Sequence, residues 1–277
     1  MRGMMSAGGL QGRTALVTGG ARGQGRSHAL ALAEAGADVV ICDICEALPT
    51  VRYPLATEGE LRQTVAEIQA LGRRALGVVA DVRSSAQMIA LVDRTIREMG
   101  RIDILVANAG IFTYAPAWEL TEEQWDQSIA VNLKGAWLAS RHVMPHMIRQ
   151  RAGRIIFIAS TAGLKGLANL SHYSAAKHGV IGLTRALAVE LAPYDITVNA
   201  ICPTAVDTDI IDNEATYRLF GVSDREGMAR AMDELNLLKR GLLSPREVSA
   251  ALLFLASDAA RSITGLALTV DAGFLTR

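Results

Sequence analysis

Thr14-Ala-Leu-Val-Thr-Gly-Gly-Ala-Arg-Gly-Gln-Gly25 decides the fold. A short apolar run over 14–18 stops in a glycine-rich turn, and a helix-like stretch follows over about 23–36. Such a run reads as a strand buried on both faces. Gly19, Gly23 and Gly25 permit a tight turn. They also leave the backbone and the amino end of the helix open to a pyrophosphate. A glycine loop between strand and helix is therefore read as a nucleotide site rather than a plain turn.

The pattern repeats outward from this stretch. Further apolar runs lie at 38–42, 75–80, 102–107, 154–159, 196–201 and 266–270. Helix-like segments follow at 60–71, 85–99, 121–150, 172–192 and 245–257. Strand alternating with helix predicts an α/β protein: one Rossmann-type domain over 13–277, a doubly wound parallel sheet of seven strands with helices on both faces. Residues 1–12 read as a loose leader. Two segments break the alternation. Residues 44–59 carry Pro49 and Pro54 and cannot be a continuous helix. Residues 207–243 form a long excursion, and such excursions often serve as lids.

Composition narrows the function. Half of the 277 residues are apolar, aromatics are scarce and the formal net charge is zero. No basic face points to nucleic acid. No run is long enough to span a bilayer, and no signal peptide is evident, so a cytoplasmic protein is expected. Cys42, Cys45 and Cys202 are too few for a disulfide framework, and Cys42-Asp-Ile-Cys45 lacks the context of a redox or metal motif. His142 and His146 stand at helical spacing but enclose no glutamate, so no metal site is expected and a helix surface or subunit interface is the better reading.

Asp43 follows the second strand, eighteen residues after Gly25. A carboxylate there can accept hydrogen bonds from ribose hydroxyls and repels a 2′-phosphate, which favours NAD over NADP. Arg22 is a counter-signal, since a guanidinium in this loop could pair with that phosphate. Tyr173 and Lys177 lie four residues apart, on one face of the helix expected over 172–192. The lysine charge is expected to lower the phenol pKa toward neutrality, fitting Tyr173 to exchange a proton with an alcohol or carbonyl oxygen. His172 reads as packing. Apolar side chains gather near these residues: Phe112, Tyr114 and Trp118, then Leu164 and Leu167. The 207–243 excursion adds Ile210, Ile211, Tyr217, Leu219, Phe220, Met228 and Met232. An apolar wall with few polar groups suits a hydrophobic alcohol or ketone.

With these residues in view, the chain resembles the short-chain dehydrogenase/reductase family from Gly12 onward. Residues 18–25 resemble its T-G-x-x-x-G-x-G turn, bringing Arg22 and Gln24 among the expected cofactor contacts. Ile44 joins Asp43 there, and Asp81 and Val82 sit where the family meets adenine. Asn108, Ala109 and Gly110 resemble its N-A-G motif. Asn132 matches an asparagine that holds a relay water, Ser160 the active-site serine, and Tyr173 with Lys177 the Y-x-x-x-K pair. Pro203 matches too, but Thr204 stands where a glycine is common. Val206 and Thr208 fall where the family meets the nicotinamide. The resemblance implies an NAD-dependent alcohol dehydrogenase, Tyr173 acting as general base, Ser160 holding the substrate oxygen and Lys177 tuning the phenol and binding the nicotinamide ribose. It also implies a homotetramer.

Residues 22–28, 43–45, the insertion after them and 202–208 are similar to the mycofactocin-coupled, carveol dehydrogenase-like subfamily. That likeness implies a tightly held NAD gripped by residues 44–59, electrons passed to mycofactocin, and a terpenoid or other alicyclic secondary alcohol as substrate. Two alternatives are an NADP-dependent 3-oxoacyl-type ketoreductase, against which Asp43 argues, and a catalytically idle nucleotide sensor. The intact set of Asn132, Ser160, Tyr173 and Lys177 disfavours the second.

Overall fold

Strand β1 (Thr14–Thr18) shows how the sheet is built. Leu16 packs into one apolar cluster, while Ala15 and Val17 pack into another on the opposite face. The same holds for β2 (Asp38–Asp43), β4 (Ile104–Ala107), β5 (Gly153–Ile158) and β6 (Ile196–Pro203). The edge strands β3 (Ala75–Val79) and β7 (Ala267–Val270) are only partly covered. The computed structural model describes residues 9–276. All seven strands pair in parallel in the order β3-β2-β1-β4-β5-β6-β7.

One face is covered by α1 (Gly23–Glu34), α2 (Glu58–Ala70) and α9 (Pro245–Ala256). The other is covered by α3 (Ser85–Met99), α5 (Ala136–Gln150) and α6 (Ser171–Leu191). The result is a Rossmann-type doubly wound sheet. The chain runs outward from β1 to β3 and then returns to place β4 beside β1. That reversal opens a crevice at the carboxyl ends of the strands, where open α/β sheets take their ligands. Among the described residues, no helix is long and apolar enough to cross a membrane.

Four expectations need correction. Of the leader, residues 1–8 lie outside the described residues, but 9–12 belong to the fold: Leu10 is 2% exposed and donates its N–H to Ala35 O. The helix expected over 121–150 is not continuous. It begins as α4 (Glu122–Ile129), widens into a π-helical segment over Ala130–Gly135, and continues as α5. Helix α2 starts two residues before the expected 60, because Thr57 and Glu60 form a reciprocal cap. The 207–243 excursion is not irregular: it contains α7 (Glu214–Phe220) and α8 (Arg225–Leu235), capped by Asn213 and Asp224. Its base is pinned where Asp207 N–H meets Leu243 O and Leu243 N–H meets Ala205 O.

Candidate active site

A cavity of about 570 Å³ occupies the crevice. It is lined by Gly19, Arg22, Gly23, Gln24, Gly25, Asp43, Ile44, Asp81, Val82, Asn108, Ala109, Gly110, Pro203, Val206 and Thr208. Asn132, Ser160, Tyr173 and Lys177 line it too. Residues scattered over most of the sequence are thus brought to one wall.

The glycine turn is shaped by close approach. Gly19 has φ +65°, and a Cβ there would stand 2.8 Å from Ala109 Cα. A Cβ on Gly25 would fall 1.8 Å from Gly19 O, so no other residue fits. Asn108 holds the turn from β4: its Nδ2 donates to Thr18 O and Gly19 O, and Thr18 Oγ1 accepts from the N–H groups of Asn108 and Ala109. The first turn of α1 has no side-chain cap and no acidic residue. Its N–H groups are therefore free to receive an anion.

Asp43 is fixed by its neighbours. Its Oδ2 accepts from Ala21 N–H at 3.1 Å and its Oδ1 from Ile44 N–H at 2.9 Å. Burial pushes its pKa up, and those two bonds pull it back. Arg22 is already engaged: it donates to Pro54 O and pairs with Asp209 at 2.8 Å. The guanidinium that could have received a 2′-phosphate instead clamps the insertion and the 207–243 excursion.

The insertion reaches further than the adenosine half expected for it. Leu48, Tyr53, Leu55 and Ala56 line the cavity. The Tyr53 hydroxyl accepts from Phe112 N–H at 3.0 Å, and the Phe112 ring stands edge-on to Tyr173 at 5.2 Å between centroids. Sequence reading missed Tyr53 because nothing in a proline-interrupted loop marks which side chain turns inward.

Lys177 is 4% exposed and donates from Nζ to Ile158 O at 2.8 Å. Its Nζ lies 5.5 Å from the centre of the Tyr173 ring. Burial pushes its pKa down to about 8. The same burial pushes the Tyr173 phenol up to about 12, with a hydrogen bond from Ser160 opposing it. The expected lowering of the phenol by the lysine is therefore not seen: the phenol is raised. Desolvation penalises both charged forms and is the largest influence on each. Ser160 also accepts from Ala162 N–H, shaping the turn over Thr161–Gly163.

Asn132 sits in the π-helical segment. Its Nδ2 donates to Ile111 O and Ser128 O, and its Oδ1 accepts from Ile111 N–H. One of these bonds braces the backbone after Gly110, and the other ties the side chain to the last turn of α4. A point one bond off Gly110 Cα lies 2.9 Å from Asn132 Oδ1 and 3.7 Å from Lys177 Nζ, so the two side chains converge.

The apolar wall needs revision. Phe112, Leu167, Ile210, Ile211, Leu219, Phe220 and Met232 line the cavity. Tyr114, Leu164 and Tyr217 do not, Trp118 is 85% exposed, and Met228 is wholly buried on the inner face of α8. Lys165, Leu235 and Phe274 were missed. Thr204 replaces a glycine without disturbing the path, since its N–H continues the ladder to Val270 O.

The remaining candidates have local partners. Burial pushes the Cys42 thiol up strongly and Cys45 to about 11, so neither is poised as a thiolate. His142 meets Ser85, and His146 meets Arg149. His172 is fully buried against Thr113.

Comparison with known proteins agrees with this geometry. The family model described as short chain dehydrogenase matches residues 13–218. The chain is 46% identical over 270 residues to (-)-trans-carveol dehydrogenase of Rhodococcus erythropolis, covering 95% of this chain and 98% of that one. A crystal structure of carveol dehydrogenase from Mycobacterium avium in complex with NAD superposes with a TM-score of 0.96 at 39% identity, covering 98% of this chain and 100% of that one. A short chain dehydrogenase from Mycobacterium paratuberculosis bound to NAD gives 0.91 at 34% identity, over 98% and 100% of the two chains. A glycine turn, a fixed acid after β2 and a half-buried tyrosine beside a buried lysine share one crevice, and with these matches the chain belongs to the short-chain dehydrogenase family.

Proposed function

We propose that this short-chain dehydrogenase uses NAD to interconvert a hydrophobic secondary alcohol, of terpenoid or other alicyclic type, and its ketone. The observation that carries the reading is the convergence of Ser160, Tyr173 and Lys177 on an apolar cavity that runs on to the glycine turn. The likeness to two NAD complexes and to a carveol dehydrogenase supports it. Bound NAD supplies the hydride acceptor.

The chain's own residues do the rest. Gly19 to Gly25 and the open end of α1 take the pyrophosphate, and Asp43 takes the adenosine ribose. Ser160 donates a hydrogen bond to the substrate oxygen and steadies charge developing there. Tyr173 removes the hydroxyl proton, a role worth about a hundred- to ten-thousand-fold in rate. Lys177 holds a ribose hydroxyl and favours the phenolate. The positive charge of oxidised nicotinamide in the crevice would favour the phenolate as well, against the burial that holds the phenol near 12. Residues 207–243 act as the lid of one domain over 13–277.

The clamp of Arg22 on Pro54 and Asp209 supports a cofactor held tightly enough to be reoxidised in place, with mycofactocin as electron acceptor. Exposed apolar side chains on α4 to α6, Trp125, Trp137 and Val189, support a homotetramer. The NADP-dependent ketoreductase reading loses support because Arg22 is not free. The idle-sensor reading fits poorly with an intact proton-transfer set.

Two measurements test this. Mass analysis of nucleotide released by denaturing protein purified without added cofactor should find NAD; NADP would overturn the reading of Asp43. Tyr173→Phe should abolish turnover with NAD still bound, and substantial remaining activity would remove the phenol from the mechanism.

A further inference from the structure

Every charged side chain lining the cavity but one has an ion-pair or hydrogen-bond partner among the described residues. Asp81 pairs with Arg83 at 2.7 Å, Asp209 pairs with Arg22, and Asp43 takes two backbone N–H groups. Lys177 is bonded to Ile158 O. Lys165 has no carboxylate partner among the described residues. Its Nζ rests over the Phe274 ring, 5.1 Å from the centre. A ring face orients an ammonium without cancelling its charge. Four residues on, Asn169 also lines the cavity. Its backbone is left-handed, at φ +64°, and its side-chain amide has no protein partner among the described residues.

These two side chains sit on the segment that follows Ser160, which places them on the substrate side. The same cavity is lined by the apolar side chains of Leu167, Leu219, Phe220, Leu235 and Phe274. An exposed ammonium and an exposed amide thus line one largely apolar cavity, and each can donate a hydrogen bond to a carboxylate.

We propose that Lys165 and Asn169 recognise a carboxylate carried by the substrate, remote from the carbon that is oxidised. The substrate is then a hydrophobic hydroxy acid rather than a plain alcohol. This rests on the alcohol-dehydrogenase reading above and names the class of substrate that the same site selects. Lys165 is exposed, and a solvated lysine with no ligand is the ordinary alternative. The two differ in what the lysine does to substrate preference.

The test uses full-length protein with its bound cofactor and matched ring alcohols: 3- and 4-hydroxycyclohexanecarboxylate against 3- and 4-methylcyclohexanol. Wild type should prefer the acids in kcat/KM. A hydrogen bond to a charged group corresponds to a preference of about ten- to a hundredfold. Lys165→Met keeps the aliphatic stem and should collapse the acid-to-neutral ratio, mainly through KM for the acids. Lys165→Arg should restore most of it, and added salt should erode it. A ratio unchanged by Lys165→Met, or a wild-type preference for the methyl compounds, overturns the proposal and leaves the alcohol-dehydrogenase reading standing. Turnover of neither class by wild type sinks both.

Discussion

Arg22 Nη1 lies 2.8 Å from Asp209 Oδ2, and Nη2 of the same side chain donates to Pro54 O. One guanidinium therefore ties the glycine turn to two segments that close over the crevice. Asp209 is more than half exposed, and an exposed ion pair contributes about 0–1 kcal/mol. Asp209→Ala should speed cofactor release by no more than about fivefold. Arg22→Ala loses both contacts and should speed it by about tenfold or more. Stopped-flow displacement of fluorescent NADH measures both rates, and equal values for the two variants would dismiss the clamp.

Tyr53→Phe keeps the ring in the cavity but removes the acceptor for Phe112 N–H. An unsatisfied buried amide costs about 1–3 kcal/mol. We expect a lower denaturation midpoint and slower alcohol oxidation, since Phe112 packs against the Tyr173 ring. A variant with wild-type midpoint and rate would show that the insertion does not brace the catalytic side.

Asp43→Ser exchanges a carboxylate for a short neutral donor and acceptor. NAD affinity should fall, and the NAD-to-NADP preference should narrow by about tenfold or more, because a 2′-phosphate no longer meets a negative charge. Equilibrium binding of both cofactors to stripped protein checks this. A preference that stays put would assign the discrimination elsewhere.

Lys177 titrates at about 8 in the fold against an ordinary 10.5. Between those values the unfolded chain binds the extra proton, so wild-type stability gains as pH rises through that window. Relative to Lys177→Met, which has no such titration, wild type should gain on the order of 3 kcal/mol between about pH 8 and 10.5. Denaturant midpoints of the two proteins across that range give the comparison. A constant difference would mean that the buried lysine is not desolvated.

Much of the fold was written in plain residue patterns. Runs such as Leu16 between Ala15 and Val17 are apolar throughout because both faces of the sheet are covered. The glycines and Asp43 stood out because backbone approach and ribose binding demand those residue types. Periodicity placed Tyr173 and Lys177 on one face but said nothing of their burial, so the direction of the phenol shift was misjudged. Trp118 and Met228 look alike as apolar letters, yet one is exposed and the other is fully buried on α8. Pro54 contributes to the clamp through its carbonyl, which every residue carries and no motif can flag. Asn213 and Asp224 did mark the starts of α7 and α8, a capping signal that apolar spacing alone passes over.

The wide turn over Ala130–Gly135 holds one residue more than an ordinary helical turn would. Deleting a single residue there would let α4 and α5 fuse into a regular rod. The widening absorbs that residue, so α5 would keep its phase, and Leu138, Val143 and Met147 would still cover the sheet. A deletion within α5 itself has no such slack: everything beyond it would rotate by about 100° about the axis. The wide turn is thus where this helix could lose a residue without turning its far end, but Asn132, which the segment holds against Ile111, would be misplaced.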